Sequence, residues 1–509
     1  MNIYPKIRNI LMTAVTAATI LALSACGGGA PHTTNLELVS HSPSAGATGV
    51  LLADAIELNF SEAVSPQSVT ANTLKVLDGS NELSYDKSFS NGNKTITLTL
   101  TSAPANLPAN LTVAINGVAS GNGASLTASF DFTTADDWVE LDSYVQEDSS
   151  ADADVPSVAV DKDGNLVVAY VSGESAGYFI AVRRWNGNTW KSIGKPFNGS
   201  GKSGAASPNL ALDKDGNPVV AFQQYTSADK NNVYVRHWDG GAWSAYGPTG
   251  PIDLSKADDT TNPRISISNN GDPILAFIEK SNYNSKIARH LYYGAFKISS
   301  SIWKIPTTPV NIDASKDITV IDSASGANSG TVITWVEKTG TGSYNVYTKN
   351  ITTGSQYGSA AVATSSKYVA QIFVELGKDD SPVVVWHEQG SNKVQARYWD
   401  SSNNTWKYYG QSPVVSTATM AALAVDSNGY PVIAVNTAGS VTGSVELKVI
   451  RWNGSAWVSL PDYVNLNPAN ELYNFDIAVG RGNNPVVVWS EDDDGNYMLH
   501  AKVYNGLAR

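Results

Sequence analysis

A short apolar segment that ends in a large residue occurs seven times along the C-terminal part of the chain. The segments read GNLVVAY, GNPVVAF, GDPILAF, SGTVITW, DSPVVVW, GYPVIAV and NNPVVVW. Their last residues follow one another at intervals of 49 to 58 residues and are Tyr170, Phe222, Phe277, Trp335, Trp386, Val435 and Trp489. A regular interval of this size is typical of β-propellers, in which each repeat forms one blade.

Each full repeat divides into four strands, which the first repeat shows most clearly as PSVAV, LVVAY, IAVRRW and TWKSIG. The second strand is apolar on both faces, as expected when each sheet is covered by a neighbour on either side. Small residues such as Ala169 and Ala221 alternate with Tyr170 and Phe222, so facing sheets can interdigitate. The repeats therefore predict an all-β ring of seven four-stranded blades over residues 137–509.

The two ends of the repeat region complement each other. The last repeat stops after its third strand, in YMLHAKVYNGLAR, and has no TWKSIG element. The segment DDWVELDSY, which contains Trp138, has that element without the three strands before it. We therefore expect the Trp138 segment to complete the seventh blade and close the ring, which removes exposed sheet edges.

Residues 35–134 have a different pattern of short alternating strands, clearest at 56–60 (IELNF) and 95–100 (TITLTL), separated by Gly, Pro and Asn. This pattern over about 100 residues is typical of an immunoglobulin-like β-sandwich. With Pro43, Gly46, Phe60-Ser61 and the closing FDFT, the segment resembles the bacterial SbsA-type Ig-like domains. The resemblance implies a spacer without a catalytic site.

The N-terminus reads as a targeting signal. Lys6 and Arg8 precede an apolar run that ends in Leu-Ser-Ala-Cys at residues 23–26. This end resembles the lipobox of bacterial lipoproteins, which implies a signal peptide at 1–25 and lipidation of Cys26. Residues 26–34 then form a flexible glycine-rich tether. Gly27 rather than Asp after the cysteine resembles lipoproteins of the outer membrane, so we expect a lipid-anchored protein of the cell envelope.

Charge and cysteine content narrow the choice of partners. The formal charge is −12 and becomes −14 when the signal with Lys6 and Arg8 is removed. Without a cluster of Lys and Arg, nucleic acid is not an expected partner. Cys26 is the only cysteine, so no intrachain disulfide can form. We expect a monomer that contacts the membrane through its lipid.

A Trp-rich hairpin joins the third and fourth strands of several repeats. In the first repeat it reads RRWNGNTW, where Asn-Gly is a preferred pair for a tight turn. The sialidase Asp-box would need Ser at Arg183 and Asp at Trp185, so this hairpin is structural. VRHWDGGAWSAYG at 235–247 resembles repeats of propeller lectins, which implies sugar binding between blades. Core packing of these Trp residues is the favoured alternative.

Four carboxylates occupy the same position in their repeats, two residues after the large apolar residue: Glu279, Glu337, Glu388 and Glu491. Gln224 has this position in the second repeat. One interpretation pairs the carboxylates across strands with Arg289, Lys349, Arg397 and Lys502. The other, on which the candidate site is based, makes the four carboxylates and Gln224 a ligand-binding ring at one mouth of the channel.

No cofactor is expected. DKDGN occurs at 161–165 and 213–217 but lacks the remaining ligands of a calcium loop, so it predicts a turn. EDDDGN at 491–496 leaves weak Ca²⁺ binding open. The six histidines are not spaced as metal ligands, so no metal residue is assigned.

The sequence thus predicts a lipid-anchored envelope protein that presents a propeller face to a glycan or to another envelope protein. No catalytic residue is assigned, and binding is favoured over catalysis. Two alternatives stay open: a carbohydrate-active enzyme, either a glycoside hydrolase or a lyase, and a scaffold for envelope assembly. A hydrolase needs two suitably spaced carboxylates, which the sequence alone does not locate.

Overall fold

The structure is a computed structural model, and it describes residues 35–506 except 175–176, 200–203, 228–229, 248, 255–258, 359–360, 440 and 494. The described chain is all-β, with no α-helix and three short 3₁₀ turns at Pro66–Ser68, Asn91–Asn93 and Arg481–Asn483. Among these residues no helix is long and apolar enough to cross a lipid bilayer. Cys26 and the whole tether, 26–34, lie outside the described residues.

The described residues divide into two compact units, one extending to Val139 and including Tyr504–Gly506, the other formed by Glu140–Val503. The first unit contains an Ig-like sandwich of two four-stranded sheets, in the orders β1-β2-β6-β5 and β4-β3-β7-β8. Its strands are β1 Leu38–Ser42, β2 Ile56–Phe60, β3 Leu74–Asp78, β4 Asn81–Leu83, β5 Tyr85–Ser90, β6 Thr95–Leu100, β7 Asn110–Ala119 and β8 Ser125–Thr133. Inward-facing Leu58, Ile96 and Val113 are fully buried between the sheets.

The repeats form seven four-stranded antiparallel sheets, each with its strands in chain order. The first four blades are β10 Ala153–Val160, β11 Leu166–Glu174, β12 Gly177–Trp185, β13 Trp190–Ser192; β14 Ala205–Leu212, β15 Pro218–Ser227, β16 Lys230–Trp238, β17 Trp243–Ala245; β18 Thr260–Ile267, β19 Pro273–Tyr283, β20 Lys286–Lys297, β21 Ile302–Lys304; and β22 Ile318–Gly326, β23 Gly330–Gly340, β24 Ser343–Asn350, β25 Ala363–Ser365.

The remaining blades are β26 Val369–Leu376, β27 Pro382–Glu388, β28 Lys393–Asp400, β29 Thr405–Tyr408; β30 Ala418–Val425, β31 Pro431–Ala438, β32 Val445–Trp452, β33 Trp457–Ser459; and β34 Leu472–Val479, β35 Pro485–Asp493, β36 Asn496–Tyr504 with β9 Trp138–Glu140 as the fourth strand. Each first strand contacts the first strand of the next blade, and β34 contacts β10. The first strands therefore enclose a central channel, and the predicted seven-bladed propeller is confirmed.

The ring closes as the sequence predicts, because the seventh sheet takes its outer strand from the segment that follows the Ig-like module. Beyond β9, the Leu141 N–H donates to Ala501 O at 2.8 Å and the Val145 N–H donates to Leu499 O at 2.8 Å. Leu141 and Val145 are buried in the apolar cluster between blades seven and one. The last blade therefore ends in a paired strand instead of an open edge.

The second strands supply the apolar core between blades. Between blades one and two, Val167 and Ala169 pack against Val220 and Phe222 in one cluster of buried residues. The large residues that end these runs in other repeats, including Trp335, Trp386 and Trp489, are among the largest fully buried side chains. Dense interdigitation of this kind is the main stabilising term for a sheet covered on both faces.

Tryptophans on the fourth strands tie each blade to the one before it. The indole Nε1–H donates to a backbone carbonyl of the preceding blade at 2.8–3.0 Å in five pairs, which are Trp190 to Leu141, Trp243 to Ile193, Trp303 to Tyr246, Trp406 to Tyr357 and Trp457 to Tyr409. The pair at Trp190 spans the junction between blades seven and one. The same indole-to-carbonyl hydrogen bond thus links neighbouring blades both at the closure of the ring and at other junctions.

Replacing Trp190 with Phe removes the indole donor at this junction and keeps most of the ring volume. We expect the free energy of unfolding to fall by about 1 kcal/mol, the typical net contribution of one hydrogen bond, in urea unfolding followed by circular dichroism. Trp185→Phe is the control, because Trp185 packs against Trp190 but makes no indole hydrogen bond within the described chain. Equal losses in the two variants would contradict a role for the indole N–H.

Candidate functional site

The antiparallel order of each blade sorts its connections onto two faces. Turns between first and second strands, and between third and fourth strands, lie on one face, which we call the hairpin face. Turns between second and third strands lie on the other face together with the loops that lead into the next blade. We call this the loop face. The two faces differ in what they expose.

The Trp-rich hairpins on the hairpin face are structural. In the first one, Asn186 Oδ1 accepts the backbone N–H groups of Asn188 and Thr189 at 3.0 and 2.9 Å, and Gly187 has a φ of 92° that favours glycine. In the lectin-like repeat, the Arg236 guanidinium donates to Gly199 O at 3.0 Å. Arg236 and the Trp243 indole N–H therefore both bind backbone oxygens within the ring.

The DKDGN segments are also turns. Asp161 Oδ1 accepts the N–H groups of Asp163 and Asn165 at 2.9 and 2.8 Å, and Asp213 does the same in the next blade. A carboxylate oxygen that accepts two backbone donors is satisfied without a cation. Within the described ranges, no group of three or more His, Cys, Asp or Glu side chains has the arrangement of a metal site.

The predicted ring lies at the loop-face ends of the second strands, where four of its five members are buried. Glu491 Oε1 accepts the Asn467 N–H at 2.8 Å, and its Oε2 accepts the Leu466 N–H at 3.0 Å and the Trp489 indole N–H at 2.7 Å. Glu337 makes the equivalent bonds to Ile312, Asp313 and Trp335 at 2.9–3.3 Å. These carboxylates hold the loop that enters their own blade.

In two other repeats, a buried side chain at this position also accepts an N–H group of the loop that enters its blade. Glu279 is fully buried and accepts the Leu254 N–H at 2.9 Å. Gln224 is fully buried and accepts the Gly199 N–H at 3.1 Å. Glu388 is only half-buried and binds the Ser391 hydroxyl at 3.1 Å instead of an inter-blade loop. Glu388 is therefore the ring member with the most open surface.

The strand register does not support the cross-strand ion pairs considered for these carboxylates. Glu279 lies opposite His290, Glu337 opposite Asn345, and Glu491 opposite Met498. Arg397 and Lys502 lie opposite Val384 and Val487, several residues away from the ring positions. Pairing with the four basic residues considered is therefore wrong, because the register puts other residues opposite the ring, including Lys393 opposite Glu388.

Burial raises the pKa of Glu337, while the two loop N–H groups and the Trp335 indole act to lower it. The carboxylate oxygens of Glu337 and Glu491 each accept a donor from the protein itself. Ligand binding by the ring of Glu279, Glu337, Glu388, Glu491 and Gln224 stays a prediction. The contacts described give the buried members a structural role that the sequence analysis missed.

Replacing Glu491 with Ala leaves the Leu466 and Asn467 N–H groups and the Trp489 indole without this acceptor. We expect the free energy of unfolding to fall by about 2–4 kcal/mol, measured in urea. Glu388→Ala is the matched control and should cost less than about 1 kcal/mol. A Glu491→Ala protein that keeps full stability and loses ligand binding would instead favour the ligand-binding ring.

The first strands present polar side chains to one another around the channel. Each of five accepts a backbone N–H from the next blade: Ser157 from Leu210, Asn209 from Ile265, Asp322 from Val374, Gln371 from Ala421 and Asp476 from Val158, at 2.7–3.1 Å. These side chains satisfy amide groups on the inner edge of each sheet, which has no further strand to pair with. The Arg264 guanidinium also pairs with Asp322 at 3.2 Å.

Three acidic groups on these strands were not found by the sequence analysis. Burial raises the pKa of Asp322 to about 6, that of Asp476 to about 7 and that of Glu375 to about 8, even though Arg264 acts to lower the first two. The charges of Asp322 and Asp476 raise the pKa of Glu375 further. Glu375 is open to water in the channel yet surrounded by protein, so its charge is poorly solvated.

Folding favours the neutral forms of these groups, because their pKa values are higher in the folded chain than in the unfolded chain. Below about pH 4 both states are largely protonated and the groups do not affect stability. As the pH rises toward 8 the folded state must ionise against burial, so the free energy of unfolding falls.

Glu375→Gln removes the most strongly shifted of these groups. We expect the variant to gain about 1–2 kcal/mol of unfolding free energy at pH 8, after allowing for screening by channel water, and almost nothing at pH 4. Urea unfolding across this range is the measurement, with the exposed Glu37→Gln as control. A gain that does not depend on pH would show that Glu375 acts through packing and not through its charge.

The loop face carries most of the large apolar side chains that the propeller exposes. Among the residues that the structure describes, ten are exposed there, namely Tyr178, Tyr225, Leu254, Ile287, Ile312, Tyr368, Val441, Tyr463, Leu466 and Tyr473. The exposed large apolar residues on the third and fourth strands near the hairpin face are Ile298, Ile302, Tyr408 and Val458. The loop face is therefore the more apolar of the two faces in its exposed large side chains.

Comparison with known proteins supports the first module. A family model described as a bacterial Ig-like domain, Big_5, matches residues 32–134. No curated protein matches the sequence.

Solved structures resemble the chain only distantly. An ulvan lyase of family PL25 is 12% identical, with a TM-score of 0.48 over 73% of this chain and 97% of that one. An oligogalacturonate lyase from Vibrio parahaemolyticus is 6% identical, with a TM-score of 0.44 over 85% and 98%. A protein of unknown function from Dyadobacter fermentans is 11% identical, with a TM-score of 0.44 over 72% and 98%. Similarity at this level does not assign an activity to this chain.

Proposed function

We propose that this chain is a lipid-anchored protein of the cell envelope, in the outer membrane, whose propeller binds a glycan or an envelope protein. The anchor is Cys26, the glycine-rich tether follows it, and an SbsA-type Ig-like module serves as the spacer. The protein acts as a monomer, with the loop face of the propeller as its binding surface. No cofactor takes part.

The exposed apolar and aromatic residues of the loop face are the observation that carries this proposal. Three of them, Leu254, Ile312 and Leu466, occupy equivalent positions in inter-blade loops, and each has its N–H bound by a buried carboxylate of the blade that follows. A loop held in this way loses little conformational entropy when a partner docks on it. Tyrosine is also enriched at the centres of protein interfaces.

The carbohydrate-active enzyme is the alternative with a specific observation in its favour. Asp322, Asp476 and Glu375 have pKa values raised toward neutrality, and carboxyl groups of this kind are suited to general acid catalysis. Glycoside hydrolysis pairs such an acid with an ionised carboxylate. An envelope scaffold differs from both, because it binds proteins and has no affinity for sugars.

Binding should depend on the loop face. We expect the chain without its signal and without Cys26, residues 27–509, to bind components of a glycan array or purified envelope proteins. Replacing Leu254, Ile312 and Leu466 together with Ser should weaken that binding at least tenfold, because the buried apolar contact area is lost. Binding is measured by biolayer interferometry.

Ile298→Ser with Ile302→Ser is the matched control on blade three, near the hairpin face, and should leave binding unchanged. Loss of binding in this control with retention in the loop-face variant would overturn the choice of face. Release of reducing ends from a bound polysaccharide that disappears in Glu375→Gln would replace the binding function with the enzyme.

The anchor is tested separately. Cys26→Ser should abolish incorporation of labelled fatty acid and move the protein from the membrane fraction to the soluble fraction, because no acyl chain then enters the bilayer. The matched control is Ser24→Ala, which keeps the cysteine. Unchanged labelling of Cys26→Ser would contradict lipidation at this residue.

A further inference from the structure

Four tyrosines lie on the loop face of blades seven, one and two, and two of them are in ring contact. We call Tyr473, Tyr497, Tyr178 and Tyr225 the tyrosine row. Tyr473 and Tyr497 have ring centroids 4.7 Å apart at an angle of 48°. Tyr473, Tyr178 and Tyr225 are 46%, 54% and 52% exposed, although large aromatic side chains are usually covered. The row is therefore open to a partner.

Backbone hydrogen bonds connect the row across both blade junctions. The Tyr497 N–H donates to Asp152 Oδ1 at 3.1 Å, and Asp152 O accepts the Gly173 N–H at 2.7 Å beside Tyr178. The Gly204 N–H donates to Tyr178 O, and Gly204 O accepts the Tyr225 N–H, both at 3.1 Å. The backbone of the row is thus held in place before any partner binds, which reduces the entropic cost of binding.

The surroundings of the row are acidic at blades seven and one. Residues 141–154, which lead into blade one, contain five carboxylates and no Lys or Arg, namely Asp142, Glu147, Asp148, Asp152 and Asp154. Partial burial raises the pKa of Tyr497, and the nearby carboxylates of Glu471, Asp492 and Asp154 raise it further. The field at this part of the loop face is therefore negative.

The opposite side of the ring differs in charge. Tyr368, which is 40% exposed at the entry to blade five, follows Lys367 in the chain and packs against Tyr344 at 5.6 Å. Lys338 and Lys393 lie at the loop-face ends of strands in blades four and five. Lys230 lies at the same end of blade two, next to Asn231, which is opposite Tyr225. Exposed tyrosines thus occur on both sides of the ring, whereas the acidic surroundings are found at blades seven and one.

We propose that the tyrosine row binds a polypeptide segment of a partner protein that carries Lys and Arg. This inference rests on the proposed binding function and names the partner class. Cationic side chains bind favourably over the faces of tyrosine rings. The carboxylates attract the same charges and raise the rate of encounter. A polyanionic ligand, such as a uronate-rich or sulfated glycan, would be repelled from this surface.

The experiment uses residues 27–509 and a fluorescent peptide of alternating Lys and Ala, with a Ser-Ala peptide of equal length as the neutral control. We expect saturable binding of the Lys peptide in fluorescence anisotropy and none of the Ser peptide. Tyr178→Ala and Tyr473→Ala should each weaken binding at least tenfold. Tyr368→Ala is the matched control and should leave binding within twofold of the unmodified chain.

The two kinds of interaction are separated by charge variants and salt. Asp152→Asn combined with Glu471→Gln keeps the Asp152 acceptor for Tyr497 and removes two charges. We expect this variant to bind more weakly and to show a smaller loss of affinity as the salt concentration rises. Circular dichroism and urea unfolding of every variant confirm that the ring remains folded.

Three outcomes overturn the inference. The tyrosine variants keep every charge, so unchanged binding by them would reduce the interaction to unspecific attraction between a basic peptide and an acidic protein. Absence of peptide binding by the folded chain is the second. The third is binding of a neutral oligosaccharide that Tyr178→Ala abolishes, which keeps the proposed binding function and assigns the row to a glycan. Failure of binding to every glycan and envelope protein, in contrast, rejects the proposed function itself.

Discussion

The inner edge of each blade is the constraint on which the rest of the structure depends. A first strand has a partner on one side only, and the amide groups on its other side face the channel wall, where they need acceptors. These acceptors come from the preceding blade and are Ser157, Asn209, Asp322, Gln371 and Asp476. Because each blade completes its neighbour, the full set of contacts exists only when the ring is closed. Leu141 and Val145 then complete the outer side of the last blade.

The same need for acceptors between blades explains why residues with the chemistry of a binding site are structural in this protein. The Trp-x-Glu pattern of Trp335–Glu337 and Trp489–Glu491 places both side chains on one face of a strand. The indole therefore donates to the carboxylate, whose oxygens also hold the incoming loop. These carboxylates and indoles join each blade to the loop that enters it, and the loops that they hold gain a fixed geometry. The exposed residues on those loops form the surface on which the proposed function rests.

Charge is distributed unevenly over this frame. In the channel, Arg264 offsets part of the acidic charge near Asp322, but burial still raises the pKa values of Asp322, Asp476 and Glu375. At the junction of blades seven and one, carboxylates surround exposed tyrosines without nearby Lys or Arg in residues 141–154. We expect stability to respond to pH through the channel carboxylates, and we propose that recognition responds to salt through the tyrosine row.

The sequence determined the fold class, the blade count and the closure, because these follow from a periodic apolar pattern and from the incomplete repeats at its two ends. It also identified the hairpin at Asn186-Gly187, since local turn chemistry needs no distant partner. Only the tertiary structure decided the roles of Glu337, Glu491 and the channel carboxylates. A Glu at the end of a strand looks the same in sequence whether it faces solvent or a neighbouring loop. The burial, the hydrogen-bond partner and the pKa of such a carboxyl group depend on residues that come together only when the blades are assembled.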